Sequence, residues 1–497
     1  MHPQQEIRTF HNHIDGQEAA ALSGAEFVTT NPTTGARWGR FPLSGAADVA
    51  LAASAAQRAL QGAWGTLSPT RRGRLMMRWA DLVADAADEL AALDTAQGGK
   101  LFSEVRAQIR AMQDWLYYFG GLADKIEGAV IPLTQTTVLN YTLREPLGVV
   151  GVIVPWNSPV FLTIMSVAPI LAAGNTIVIK PSEVTSASAT RLAALALQAG
   201  MPAGVVNVVN GMREAGEALV DHPAVAKICF TGSDAAGRLI AARAGGRLAS
   251  CTLELGGKSP NIVFADADPD LAEAGVLAGI FAAAGQTCIA GSRAYIHESL
   301  YDRLVGRLVE RANAIVLGDP MLGATQMGPV ATAAQLDKDI GMVARAVAEG
   351  AHVLCGGRRA AVAGLPLGNF FQPTIIENAA HGSFLMQNEV FGPVLSVTPF
   401  ADDEDVLAMA NGTAFGLGAG IWTRDLRRAH VMARRLCAGT VWVNTYRAMA
   451  CNSPFGGMKD SGIGRQNGME SVFQYLKTKS VWCELGTQLT DPFVMRV

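Results

Sequence analysis

With 497 residues the chain is too long for one ordinary core, so two or three domains are expected. Its 40 basic and 43 acidic side chains leave a net charge of -3 without long single-sign runs, which argues against nucleic acid or an anionic membrane as the main partner and favours a small molecule. The seven cysteines, at 229, 251, 288, 355, 437, 451 and 483, never form a CxxC pair, the pattern of a reducing compartment with cytoplasm as the expected location.

In chain order, the start Met1–Arg8 lacks the basic region and apolar core of a signal peptide. Residues 1 to about 35 read as an irregular or hairpin lead-in, with Asn31-Pro32-Thr33-Thr34-Gly35 as a turn. Helical periods follow at roughly 46–62, 69–97 and 103–122, the second opening on Ser68 as N-cap and Pro69 at the first helical position. The β-branched stretch 125–146 reads as a strand arm.

From Pro146 to Ile179 no residue is charged, which is long enough to raise a membrane span. Pro155, Asn157, Pro159, Pro169, Gly174 and Asn175 interrupt it, so it reads as a buried strand, a turn, a helix and a second buried strand. Strands are expected at 147–154, 176–180, 204–209, 225–230 and 251–255, with helices at 159–173, 186–199, 213–221 and 234–245. That βα alternation predicts an open, mostly parallel sheet, which binds dinucleotides at the carboxyl ends of its strands. A second α/β pattern runs from about Gly256 to Lys459, and the boundary between the two should form the cleft.

Within the second unit, Cys288 sits on a turn bracketed by Gly285 and Gly291. Upstream, Phe281-Ala282-Ala283-Ala284 continues a helical period; downstream, Arg293–His297 alternates as a strand. A connection between rigid elements is where catalytic residues tend to sit, although a cysteine is more often a small buried hydrophobe. Gly232-Ser233-Asp234-Ala235-Ala236-Gly237 follows the strand 225–230 and opens a helix whose N–H groups suit a pyrophosphate. None of the eight histidines belongs to a recognisable ligand set, so no catalytic metal is expected.

The stretches Thr252-Leu253-Glu254-Leu255-Gly256-Gly257-Lys258 and Pro155-Trp156-Asn157-Ser158-Pro159 lie around that cysteine in the order and spacing of a known family. So do Lys180-Pro181-Ser182-Glu183, Phe230-Thr231-Gly232-Ser233, Glu389-Val390-Phe391-Gly392-Pro393 and Ser453-Pro454-Phe455-Gly456-Gly457. Together they resemble the NAD(P)-dependent aldehyde dehydrogenase superfamily over nearly the whole chain. The resemblance implies an α/β fold with three parts. These are a Rossmann-like NAD-binding domain (1–124 and 147–255), an α/β catalytic domain (256–459) and a small β arm (125–146 and 470–497) that joins subunits into a homodimer or homotetramer.

It further implies that Cys288 attacks an aldehyde to form a thiohemiacetal, which loses hydride to become a thioester. The Asn157 amide and the Cys288 backbone N–H would receive the oxyanion. Glu254, whose pKa its apolar neighbours should raise, would activate the hydrolytic water. The implied cofactor contacts are Trp156, Lys180, Glu183, Gly232, Ser233, Leu255, Glu389 and Phe391, with the Glu183 carboxylate favouring NAD over NADP. Taken singly, Asn157 is equally a turn residue, Lys180 and Glu183 a solvated strand end, and Glu254 a carboxylate leaving its strand for solvent.

Substrate residues implied by the same register are Ser158, Leu162, Met165, Arg447 and Met449. With Ala282-Ala283-Ala284 before the nucleophile, they suggest a roomy pocket, and Arg447 near its mouth suggests an acidic or strongly polar aldehyde. Glu254 argues against transfer of the acyl group to coenzyme A or phosphate. A non-catalytic relative keeping only the fold is the alternative outside enzymes; retention of Cys288, Asn157 and Glu254 argues against it.

Overall fold

Two sheets, one of eight strands and one of seven, divide most of the chain between them in the computed structural model, which describes residues 7–487 and 493. At the centre of the first sheet five parallel strands run in the spatial order Ser250–Glu254, Val225–Thr231, Val149–Val154, Thr176–Pro181, Val206–Val208. The chain starts at Val149–Val154, works outward to one side, then returns to the other. That reversal is the doubly wound arrangement, and it leaves a crevice at the carboxyl ends of Val149–Val154 and Val225–Thr231. Short antiparallel strands close both edges: Asn12–Ile14 and Gln17–Ala19 as a hairpin on one, Gly462–Ile463 on the other.

The uncharged stretch 146–179 resolves as strand, turn, helix and strand. Helix Pro159–Ala172 is apolar all round because it is buried on nearly every side, and such a helix needs no polar face. No helix among the described residues is long and apolar enough to cross a membrane. The helices Ala46–Gln61, Pro69–Asp85, Ala87–Gly98 and Phe102–Leu122 cover this sheet, anchored by the fully buried Trp64 and Trp79. Their indole N–H groups donate to the carbonyls of Gly174 and Asn175 and of Leu192, so each ring buries its area without stranding its donor. As expected, Ser68 caps the second helix, its Oγ accepting from the Arg71 N–H at 3.4 Å.

The single helix expected over 69–97 is two, interrupted at Ala86 with φ -87° and ψ 8°. No glycine or proline marks the break. Asp88 and Glu89 occupy the first turn of the second segment, where acidic charge favours a helix start.

The second sheet is parallel except at one edge, in the order His352–Cys355, Thr374–Glu377, Val394–Phe400, Arg293–His297, Pro260–Val263, Gly418–Trp422, Thr440–Val443. Only residues 255–259 separate Glu254, which ends a strand of the first sheet, from Pro260, which begins one of the second. Arg293 is buried there, its guanidinium donating to the carbonyls of Lys258, Met409 and Ala410. Apart from both sheets, Val138–Pro146 pairs antiparallel with Leu476–Glu484 and with Val130–Ile131. Residues 1–6 of the lead-in, and 488–492 and 494–497 of the expected arm, lie outside the described residues.

Candidate active site

Four of the residues singled out in the sequence lie at or just after the carboxyl ends of adjacent strands in the first sheet. Asn157 follows Val149–Val154, Lys180 lies at the end of Thr176–Pro181, Gly232 follows Val225–Thr231, and Glu254 ends Ser250–Glu254. Residues far apart in sequence therefore share one edge, because parallel strands all end on the same side.

Cys288 reaches that edge from the second sheet. Helix Pro269–Phe281 stops at Phe281, and the α-helical continuation expected through Ala284 gives way to one 3-10 turn, Ala282–Gly285. Ala283 and Ala284 instead adopt left-handed conformations, with φ of 54° and 53°. Gly285, at φ +71°, completes the reversal, and a Cβ there would lie 2.1 Å from the carbonyl oxygen of Gly392. The loop is then pinned at several points. Asn157 Nδ2 donates to the Gln286 carbonyl at 3.0 Å, the Gln286 Oε1 accepts from the Ala331 N–H at 2.8 Å, and the Tyr446 hydroxyl donates to the Ile289 carbonyl at 2.9 Å. Gly257 passes so close that a Cβ on it would fall 2.6 Å from the Cys288 carbonyl oxygen.

The electrostatics of this cluster are those of buried acids. Burial, then the Glu389 and Glu254 carboxylates, push the Cys288 thiol up to about 12, while the N–H groups of Ile289 and Cys288 act in the opposite sense. This differs from a reactive cysteine whose thiolate is favoured at rest. Glu254 is 3% exposed, and neither carboxylate oxygen has a hydrogen-bond partner among the described residues. Burial raises its pKa well above the ordinary range, opposed by Arg465. A carboxyl raised in this way is a better proton acceptor, once ionised, than an ordinary surface carboxylate.

Cys288 and Asn157 line a cavity of about 270 Å³ together with Ser158, Leu162, Met165, Arg447 and Met449. Ala282, Ala283 and Ala284 do not line it; the left-handed turn carries them away, so they add no room beside Cys288. Sequence reasoning passed over Lys100, Gln108, Trp115 and Phe161, which also line the wall. Lys100 follows the Gly98-Gly99 end of a helix, where a lysine ordinarily reads as solvated. Trp115 and Phe161 have helical spacing indistinguishable from core.

A family model described as the aldehyde dehydrogenase family matches residues 20–481. The chain belongs to that family. Its phenylacetaldehyde dehydrogenase relative from Pseudomonas fluorescens is 42% identical over 478 residues, covering 94% of each chain. A betaine aldehyde dehydrogenase from Brucella anthropi is 42% identical over 474 residues, 95% of this chain and 97% of the other. Among solved structures, PnpE from Pseudomonas sp. WBC-3 in complex with nicotinamide adenine dinucleotide matches with a TM-score of 0.95 at 42% identity, covering 97% of this chain and 99% of that one. This chain is thus an aldehyde oxidoreductase with the α/β fold of the family.

The residues around the crevice of this aldehyde dehydrogenase fit a dinucleotide. Helix Asp234–Gly246 begins there with Ser233 as N-cap, its Oγ accepting from the Ala236 N–H at 3.3 Å, and the remaining first-turn N–H groups suit a phosphate. A Cβ on Gly237 would lie 2.6 Å from Leu255, so the helix start rides on that side chain. Lys180 Nζ and Glu183 Oε2 pair at 3.1 Å at the end of Thr176–Pro181. Trp156 and Phe391 meet edge to face with centroids 5.3 Å apart. Glu389 accepts the Gly257 N–H at 3.0 Å and is pushed by burial up to about 7.

Proposed function

We propose that Cys288, Asn157 and Glu254 are the catalytic residues with which this chain oxidises an aldehyde to a free carboxylic acid, NAD being the hydride acceptor. The carrying observation is that Asn157, from the first sheet, and Cys288, from the second, line one cavity and are tied through Gln286, with buried Glu254 electrostatically coupled to the thiol.

In this reading the Cys288 sulfur attacks the aldehyde carbon and gives a thiohemiacetal. The second N–H of the Asn157 amide and the backbone N–H of Cys288 receive the oxyanion. NAD, when bound, supplies the hydride acceptor; Trp156, Lys180, Glu183, Gly232, Ser233, Leu255, Glu389 and Phe391 would hold it. Loss of hydride leaves a thioester, and Glu254 takes a proton from the water that hydrolyses it. A carboxyl placed to activate water favours hydrolysis over transfer to coenzyme A or phosphate.

Ser158, Leu162, Met165, Arg447 and Met449 would contact an acidic or polar, fairly bulky aldehyde. The domain limits that fit this chemistry are 1–124 with 147–255 for the cofactor and 256–459 for the nucleophile. Residues 125–146 and 470–497 would be the oligomerisation arm. Its strands carry exposed Val130, Leu143 and Trp482, which supports a homodimer or homotetramer built through that face. Seven unpaired cysteines support the cytoplasm. NADH formation by the wild type and by Cys288→Ala over neutral and carboxylate-bearing aldehydes, with NADP alongside NAD, tests the reading; equal turnover by the variant would remove Cys288 from the mechanism.

A further inference from the structure

Among the described residues, the cavity beside Cys288 is lined by two basic side chains, Lys100 and Arg447, and by no acidic one. Lys100 is 6% exposed, and its single hydrogen bond among the described residues runs to a neutral acceptor, Ser158 Oγ, at 2.6 Å. Ser158 passes its own hydrogen to the Asn157 carbonyl at 2.7 Å, so it offers the ammonium only a lone pair. Two of the three Lys100 donors are left over, on a charge that burial makes costly unless an anion meets it.

Arg447 stands at the same wall. Its Nη1 donates to the Ala278 carbonyl at 3.2 Å, and its Nη2 lies 3.5 Å from Glu104, a loose ion pair. Glu104 is also held by Gln108 Nε2 at 3.2 Å, and it acts electrostatically on Lys100 as well. One carboxylate behind the wall therefore faces two cations, which leaves the wall net positive. Asp94, the other acid near Lys100, is buried and pushed up to about 7, so it offsets only part of that charge, while burial, with Arg447, lowers the pKa of Lys100 itself. Much of the rest of the wall is apolar, Trp115, Phe161 and Leu162 among it, with the uncharged polar Gln108, Asn157, Ser158 and Thr287 between.

We propose that Lys100 and Arg447 together hold a carboxylate at the end of the substrate remote from the aldehyde, so that the enzyme selects aldehydes bearing a carboxylate on a short apolar or aromatic body. This rests on Cys288 as the nucleophile at the same cavity. The Arg447 fork suits a planar carboxylate, and the Lys100 ammonium adds charge where water is scarce. A quaternary ammonium aldehyde would meet repulsion at the same wall.

The test uses three aldehydes of matched body, 4-methylbenzaldehyde, 4-carboxybenzaldehyde and 4-(trimethylammonio)benzaldehyde, with NAD and the full-length enzyme. The expected order of kcat/KM is carboxylate, neutral, cation, with about tenfold or more between the first two, as for a charged hydrogen bond. Lys100→Met should cut the carboxylate-to-neutral ratio by about tenfold, Lys100→Arg should largely keep it, and Glu104→Gln should raise it by freeing Arg447. Calorimetric binding of terephthalate against 4-methylbenzoate in the presence of NAD gives a readout that needs no turnover. If no aldehyde is oxidised but terephthalate binds more tightly and loses that advantage in Lys100→Met, the catalytic reading falls and the anion site stands. If Lys100→Met does not fold, the Glu104→Gln ratio decides. A wild type without preference for the carboxylate, or a ratio that neither Lys100→Met nor Glu104→Gln moves, overturns the proposal.

Discussion

Asn157 Nδ2 donates to the carbonyl of Gln286 at 3.0 Å, and this one hydrogen bond joins the turn after a strand of the first sheet to the loop that carries Cys288 before a strand of the second. The amide has a second N–H, so Asn157 can locate the Cys288 loop with one hydrogen and, in the proposed mechanism, face a developing oxyanion with the other. Replacing it with Ala should lower kcat by roughly a hundred- to thousandfold, the usual loss for one oxyanion donor. Steady-state kinetics beside NAD binding would check it; a change confined to KM would point to positioning of the loop alone.

Replacing Glu254, the proposed base, should separate the two half-reactions. In Glu254→Gln the thioester should form and persist, giving a burst of NADH of about one equivalent per active site and then little turnover. Rapid-mixing absorbance, with intact-protein mass spectrometry for the acyl adduct, would follow it. Steady turnover without a burst would assign water activation to another group.

The resting thiol offers a pH test. Because burial and two nearby carboxylates push Cys288 up to about 12, its thiolate fraction should climb about tenfold per pH unit between pH 7 and 9 in the enzyme without cofactor. Iodoacetamide labelling, read on the Cys288 peptide by mass spectrometry, should rise in step. Above pH 7, where Glu389 is ionised, Glu389→Gln removes a negative charge from beside the sulfur and should speed labelling at fixed pH. A rate that levels off below pH 8 would mean that the thiolate is better stabilised than burial allows.

Gly257→Ala should damage the site without touching a functional group. Its Cβ would fall 2.6 Å from the Cys288 carbonyl oxygen, a backbone atom that cannot swing aside, so the loop must shift. A stability loss of about 1–3 kcal/mol is expected, as for other overpacked sites, together with a larger proportional loss of kcat. Thermal unfolding and NADH formation on the same preparation would check both; full activity at an unchanged Tm would refute the contact.

Much of this molecule was legible in the sequence by itself. The five central strands and the helices between them follow from alternating apolar runs and helical periods. The Ser68-Pro69 helix start follows from local capping chemistry, and the Cys288 loop from a cysteine between two glycines. These are short-range signals, and local backbone preference decides them. Tertiary structure decided the rest. The break at Ala86 has no local marker, and the left-handed Ala283 and Ala284 are residues that locally prefer helix, turned over by the packing of Gly285 against Gly392. Lys100 reads as a surface lysine until the fold buries its ammonium beside Ser158, in a cavity shared with Arg447, 347 residues further along the chain. Which charges share a wall depends on contacts between distant segments, and no pattern in either segment alone records it.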